Sequence, residues 1–156
     1  MNYDDNNILK RIVRKELPCH LVYENAEVMA FMDIMPQSPG HTLVVPKHAD
    51  TDITTSAEAA AVAAIKLVRL IAQAALTAFA ADGIVVSQFN GKPAGQTIFH
   101  LHFHVIPVYD NSPLRAHART QADSQALAEQ AARLATALAR VQSESVNNAV
   151  SQRALT

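Results

Sequence analysis

The sequence predicts an α+β fold, in which a five-stranded, mostly antiparallel sheet packs with one long and one short helix and is followed by a C-terminal helical extension. Two observations carry this prediction. Apolar residues repeat at helical spacing in three segments, whereas five short segments have the apolar, β-branched character of strands. Most links between these strands are too short for the crossover that parallel strands need, so neighbouring strands should run antiparallel.

The first helix is predicted over residues 7–15, and Pro18 follows it as a stop signal. Three short strands come next, over residues 20–23, 28–32 and 41–45. Thr55 and Glu58 form a capping-box pattern before the long helix, which we expect to end at Asp82–Gly83. The remaining predicted elements are a strand at 84–89, a loop at 90–95, a strand at 97–108 and a helix at 123–141.

Composition and charge exclude several classes of protein. Thirteen basic against fourteen acidic residues give a net charge of −1, without the basic surplus that binding a nucleic acid requires. Polar residues such as Lys66 and Arg69 interrupt the most apolar stretch, so we expect no contact with a membrane. Cys19 stands alone and provides neither a disulfide nor a multi-cysteine zinc site. The acidic opening MNYDDNN is not a secretory signal, which predicts a cytoplasmic protein.

The chemically informative segment is FHLHFHVIPVY, residues 99–109, where His100, His102 and His104 alternate with apolar residues. On a strand, successive side chains point to opposite faces, so the three imidazoles should line one face. Three interpretations compete: a polar strand face without chemistry, a metal site, and covalent catalysis on a phosphate. The metal site is less favoured because residues 99–109 supply no neighbouring carboxylate or cysteine before the turn at Asp110.

This pattern resembles the signature of the histidine triad (HIT) superfamily, in which three histidines alternate with apolar residues and two further apolar residues follow. The segments AGQTIF (94–99), AFMDI (30–34), GHTLVVPK (40–47) and NILKRIVRKELPC (7–19) are also similar to that family. The resemblance implies a HIT domain over residues 1–110. Residues 111–156 lie outside the resemblance, and their Ala- and Leu-rich composition predicts a C-terminal helical extension. The resemblance also implies a homodimer, for which the residues alone show only sufficient apolar surface.

The resemblance assigns expected roles to individual residues. His102 is expected to be the nucleophile that attacks the α-phosphate of a purine nucleotide derivative and forms a nucleotidyl-histidine, without a metal or other cofactor. His104 is expected to donate to the phosphate, and His100 and His41 to orient the rings. Thr97 would assist the leaving group. The expected nucleotide-binding residues are Asp33 for the ribose hydroxyls, Gly95, Gln96 and Asn90 for the phosphate, and Phe31, Ile34, Ile8, Leu9 and Ile12 for the base.

The sequence departs from the family at one phosphate contact. Many relatives carry a polar amide six residues before the glycine equivalent to Gly95, where this chain has Phe89 and places Asn90 one step later. Neighbouring strand residues face opposite sides, so either a bulge turns Asn90 inward or the contact is lost. Two other functions remain open at this stage: a non-catalytic nucleotide-binding module and a metal-binding protein.

Overall fold

The computed structural model describes residues 3–116 and 119–153, with side chains described as far as residue 147. The elements in chain order are α1 (Ile8–Val13), β1 (Leu21–Glu24), β2 (Val28–Met32), β3 (Thr42–Pro46), α2 (Glu58–Phe79), β4 (Gly83–Ser87), β5 (Phe103–Val108) and α3 (Ser124–Arg153). The strands form one sheet in the order β1-β2-β3-β5-β4, and every described pairing is antiparallel. The predicted fold class is therefore confirmed.

The sheet is buried on both faces at its centre, because all residues of β2 and β3 are buried. Their side chains alternate between two apolar clusters. Val28, Ala30 and Val44 belong to the main core, which also contains the inner faces of α2 and α3. Met29 and Phe31 point the other way, toward a smaller cluster that includes Leu9 of α1. The second face therefore supports a surface cavity that the core helices do not cover.

The long helix α2 is a core helix. Its length and mean hydropathy of 1.7 would also fit a membrane crossing, but its buried stripe packs on the sheet and α3. The predicted capping box is wrong. Ala57 is the N-cap and makes no side-chain hydrogen bond, while the Thr55 hydroxyl pairs with Thr51 and the Asp52 carbonyl. The helix also ends earlier than predicted, at Phe79, because the chain turns at Ala80 to bring Gly83 into β4.

The C-terminal helix α3 starts at Ser124, where the Asp123 side chain caps it by accepting from the Ala126 amide. It extends to Arg153, beyond the predicted end at residue 141. A stripe of apolar residues on α3 lies in the main core: Leu127, Ala131, Leu134 and Leu138. Helix α3 therefore contributes to the same core as the sheet and α2.

The strand that carries the histidine pattern is shorter than predicted. β5 begins at Phe103, so only His104 of the three histidines lies in a strand, where it pairs with Leu43 of β3 and Ser87 of β4. Residues 97–102 form an irregular lead-in because their backbone contacts a loop, as in the hydrogen bond from the Leu101 amide to the Asp50 carbonyl. The alternation of faces survives nevertheless, since Leu101, Phe103 and Val105 all enter the main core.

Candidate active site

A cavity of about 310 Å³ lies between α1, the ends of β2 and β3, and the histidine segment. Most of its lining is apolar. The residues that line it are Ile8, Leu9, Ile12, Leu17, Pro18, Cys19, Phe31, Met32, Asp33, Ile34, Met35, Leu43, Thr97, Ile98, His102 and His104. This combination of an apolar slot and a few convergent polar groups is typical of small-molecule sites.

Nine of the residues predicted for the site line this cavity. They are Ile8, Leu9, Ile12, Phe31, Asp33, Ile34, Thr97, His102 and His104. The other predicted residues lie behind or beside it: His41 and His100 are fully buried, and Asn90, Gly95 and Gln96 belong to a neighbouring loop. The structure therefore brings nine of the predicted residues to one cavity and places the other five behind or beside it.

His102 is held in one tautomer by a backbone contact. Its Nδ1 lies 2.6 Å from the carbonyl oxygen of His100. A carbonyl oxygen only accepts, so Nδ1 must carry the proton. In the neutral ring Nε2 then carries the lone pair, and the ring lies in the wall of the cavity with 8% of the residue exposed. This is the protonation pattern that a nitrogen nucleophile needs.

A second chain of hydrogen bonds sets the protons on His41 and His104. The Gln37 amide donates to Nδ1 of His41 at 3.1 Å, so the ring proton of His41 is on Nε2. That Nε2–H donates to Nδ1 of His104 at 2.9 Å. In a neutral His104 the proton is therefore on Nε2, as a hydrogen-bond donor. The rings of His102 and His104 are close, with centroids 5.0 Å apart.

His100 lies behind the cavity wall and supports the site through hydrogen bonds. Its Nε2 donates to the Pro46 carbonyl at 2.8 Å, and its Nδ1 contacts the Tyr3 hydroxyl. Complete burial lowers the pKa of His100 from 6.5 to about 4, against the smaller opposing effect of the hydrogen bond to Pro46. His100 is therefore neutral at physiological pH, and its contribution to the site is the carbonyl that holds His102.

The loop from Gly91 to Thr97 has its own internal structure. The buried Gln96 side chain accepts from the Gly91 amide and donates to the carbonyls of Thr51 and Ile98, so it shapes the loop. Gly95 is exposed and has φ +97°, a conformation that favours glycine. Thr97 is exposed at the cavity, within reach of solvent.

The departure at residues 89 and 90 has a structural explanation. The side chain of Asn90 accepts from the Ile53 amide at 3.0 Å and donates to Gln88 at 2.7 Å. Asn90 thereby links the loop that precedes α2 to the loop that precedes the three histidines. Phe89 instead stands edge-on to the His104 ring, with centroids 5.8 Å apart. An apolar ring therefore lies against His104 at the sequence position where the resemblance led us to expect a polar amide.

Asp33 follows β2 and is the carboxylate of the cavity. Its Oδ1 accepts from the Met35 amide at 2.8 Å, and its Oδ2 lies 3.6 Å from Nε2 of His41. Asp33, His41 and His104 place donor atoms within 4.8 Å of one another, a spacing that could hold a metal ion. The hydrogen bonds work against such an ion, because Nε2 of His41 would have to give up the proton that the Gln37 amide assigns to it.

An apolar cavity with one imidazole in its wall and a hydrogen-bonded imidazole pair beside it has the features of a small-molecule site. Residues 14–111 match the sequence model of a family described as the HIT domain. The chain belongs to the histidine triad family, whose members are nucleotide-binding hydrolases and transferases. The resemblance inferred from the sequence is therefore confirmed.

Solved structures agree with this assignment. A HIT-like protein from Bartonella henselae, involved in cell-cycle regulation and solved with an unknown ligand, has a TM-score of 0.84 and 42% identity over 88% of this chain and 99% of its own. A Zn-bound histidine triad family protein from Mycobacterium smegmatis has a TM-score of 0.79 and 31% identity, covering 89% and 97%. A hypothetical histidine triad nucleotide-binding protein from Sulfolobus tokodaii has a TM-score of 0.77 and 28% identity, covering 85% and 91%.

Several contributors to the site were not predicted. Leu17, Pro18 and Cys19 follow α1 and line the cavity, and Leu43 reaches it from β3. The alternation of β3 could have indicated Leu43, because Leu43 and Val45 share the face of Phe31. The backbone amide of Gln37 and the hydroxyl of Tyr3 carry no sequence signal of their role, since each contact joins separate segments of the chain.

The low pKa of His100 predicts a specific dependence of stability on pH. The unfolded chain takes up a proton at this residue as the pH falls below 6.5, whereas the folded chain does so only near pH 4. The wild type should therefore lose up to roughly 3 kcal/mol more stability than a His100→Gln variant between pH 6.5 and pH 4. Urea unfolding at a series of pH values measures this difference.

The exposed His48 provides the control, and a His48→Gln variant should keep the pH dependence of the wild type. Parallel stability curves for the wild type and His100→Gln would contradict the assignment of a neutral, buried His100.

Proposed function

We propose that this protein attacks the α-phosphate of nucleoside phosphoramidates or dinucleoside polyphosphates and proceeds through a covalent nucleotidyl-His102 intermediate. The observation that carries the proposal is the hydrogen bond from Nδ1 of His102 to the His100 carbonyl. It keeps a lone pair on Nε2 in the wall of a cavity that suits a nucleoside.

The chemistry follows from the proton positions. The Nε2 lone pair of His102 forms a bond to phosphorus while the phosphorus bond to the leaving group breaks. The leaving group departs with that electron pair, and an amine leaving group takes a proton from solvent. The Nε2–H of His104 donates to a phosphate oxygen or to the bridging atom, and the Thr97 hydroxyl assists there. Water then attacks phosphorus and gives a proton to solvent, the electron pair of the breaking phosphorus–nitrogen bond returns to Nε2, and a nucleoside monophosphate is released.

The cavity supports binding of a purine nucleoside. Its apolar walls, including Leu9, Ile12 and Phe31, offer a slot for a flat base. The Asp33 carboxylate can accept hydrogen bonds from both ribose hydroxyls, which are donors. Gly95 and Gln96 belong to the loop beside the exposed Thr97, where we place the phosphate. The chemistry requires no cofactor, because imidazole supplies both the nucleophile and the donor.

We also propose that the protein is a homodimer. β4 is an edge strand of the sheet, so one side of its backbone lacks a strand partner within the described residues. Val85 and Val86 of β4 are 40% and 45% exposed, and Val62 and Ile65 of α2 are also exposed. An uncovered apolar edge strand is favourable for pairing with another chain, and a second copy offers the matching edge.

The central prediction concerns the covalent intermediate. Wild-type protein mixed with adenosine 5′-phosphoramidate and quenched rapidly should carry one nucleotidyl group on His102, detectable by peptide mass spectrometry. His102→Ala should lose the adduct and at least about 10³-fold in turnover, because roughly 4 kcal/mol of barrier lowering is removed. His48→Ala should behave as the wild type, since His48 lies outside the cavity.

Each alternative function gives a distinct result in this experiment. Retained turnover in His102→Ala would refute the mechanism. Binding of AMP without any adduct or turnover in the wild type would indicate a nucleotide-binding module without catalysis. Stoichiometric zinc in the purified protein, lost together with activity on chelation, would indicate a metal-dependent function instead.

The assignment of Asp33 to the ribose predicts a change in substrate selectivity. The wild type should use a ribonucleotide substrate at least about tenfold better, by kcat/KM, than its 2′,3′-dideoxy analogue, because charge-assisted hydrogen bonds contribute roughly 1.5–3 kcal/mol. Asp33→Asn should reduce this preference, whereas Asp110→Asn, an exposed change outside the cavity, should preserve it. An unchanged preference in Asp33→Asn would place the ribose elsewhere.

The proposed dimer is tested by charging its edge strand. Val86→Lys should shift the mass measured by light scattering from two chains to one, because a lysine in the interface would be buried without a partner charge. Val146→Lys, the same change at a more exposed valine on α3, should leave the dimer intact. A monomeric wild type at micromolar concentration would rule the dimer out.

A further inference from the structure

The N-terminal segment reaches the histidines from outside the family match, which begins at residue 14. The hydroxyl of Tyr3 contacts Nδ1 of His100, and the two rings lie with centroids 5.7 Å apart. No other side chain among the described residues is hydrogen-bonded to this ring nitrogen. Tyr3 therefore contacts His100, the residue whose backbone carbonyl holds the proposed nucleophile.

The direction of this hydrogen bond is determined by the other side of the His100 ring. The Pro46 carbonyl only accepts, so Nε2 of His100 must donate to it and must carry the proton. Nδ1 of the neutral ring is then an acceptor. The Tyr3 hydroxyl consequently donates to Nδ1, and the two contacts together fix both the ring orientation and the tautomer of His100.

The position of Tyr3 is itself built into the structure. A turn follows it, in which the Asn7 amide and side chain both donate to the Asp4 carbonyl. The Asn7 side chain also accepts from the Lys10 amide and so caps α1, the helix that forms one wall of the cavity. The same turn thus places Tyr3 against His100 and α1 beside the cavity.

We propose that Tyr3 is a positioning residue for the nucleophile and acts through His100. This inference rests on the proposed function of His102. Tyr3 holds the His100 ring against Pro46, which fixes the backbone carbonyl of His100, and that carbonyl orients His102 and keeps its proton on Nδ1. A functional histidine is often oriented by a hydrogen bond to the ring nitrogen that does not face the ligand. Such a contact fixes its tautomer and contributes to its reactivity, although the contacting group never touches the ligand.

Tyr3→Phe tests this role because it keeps the ring packing and removes only the donor. In single-turnover experiments with adenosine 5′-phosphoramidate, the rate of nucleotidyl-His102 formation should fall about tenfold, the loss expected for one hydrogen bond. The dissociation constant for AMP should stay within about twofold of the wild type, since Tyr3 does not line the cavity. Tyr23→Phe is the matched control, because its hydroxyl accepts from the exposed Asn25 amide, away from the cavity.

A spectroscopic measurement separates this inference from the proposed function. In long-range ¹H–¹⁵N spectra of the imidazoles, Tyr3→Phe should shift the Nδ1 signal of His100 and broaden or shift the ring signals of His102, while Tyr23→Phe should leave both unchanged. This measurement needs no substrate. If the wild type forms no adduct, the proposed function fails by itself and the spectra still decide the role of Tyr3.

Three results would overturn the inference. The first is an adduct rate in Tyr3→Phe within twofold of the wild type. The second is an equal loss in AMP affinity and adduct rate together with a lower melting temperature, which would indicate general disruption of the fold. The third is a set of His100 and His102 ring signals that do not respond to the substitution.

Discussion

The site depends on one constraint, which is that a backbone amide only donates a hydrogen bond and a backbone carbonyl only accepts one. The Gln37 amide determines the proton position on His41, and the Pro46 carbonyl determines it on His100. His104 takes its tautomer from His41, and His102 takes its own from the carbonyl of His100. Four imidazoles that could each adopt two neutral forms are thus held in one arrangement by the backbone.

The backbone next to these contacts is closely packed. Gly40, just before His41, has φ +88°, and a Cβ there would lie 2.6 Å from the Phe79 ring, so a larger residue would clash at this position. The Gly40 amide also donates to Gln130 of α3, and the Arg115 amide donates to the Gln37 carbonyl. The C-terminal part of the chain therefore braces the loop that sets the proton on His41, in addition to filling the core.

The charge of the cavity is consistent with the proposed chemistry. Among the described residues that line it, Asp33 is the only acidic one, and none is a lysine or arginine. Under the proposed function, burial of the base on the apolar walls would provide affinity, and hydrogen bonds from imidazole and hydroxyl groups would contact the phosphate. Such a division would suit a bond to phosphorus that forms and breaks at a neutral nitrogen.

Patterns within one segment were readable from the sequence, and contacts between segments were not. The spacing of apolar residues gave the five strands, the helices and the face alternation that puts Leu101 and Phe103 in the core and His102 and His104 at the cavity. These patterns follow from the local geometry of strands and helices, so sequence order suffices to derive them. The histidine spacing likewise identified the family.

Tertiary structure alone decided the boundaries and the supporting contacts. Thr55 matched the pattern of a helix cap, but its hydroxyl pairs with Thr51 in the same loop. β5 begins at Phe103, later than predicted, because the residues before it hydrogen-bond to the loop that contains Asp50. The side chains of Gln96 and Asn90 form hydrogen bonds to the backbone of another loop, whose residues lie 37 or more positions away in the sequence. The sequence by itself determined which residues share one face of a strand or helix. Only the folded chain decided which distant backbone groups reach the histidines, because those hydrogen bonds depend on three-dimensional proximity and leave no periodic trace.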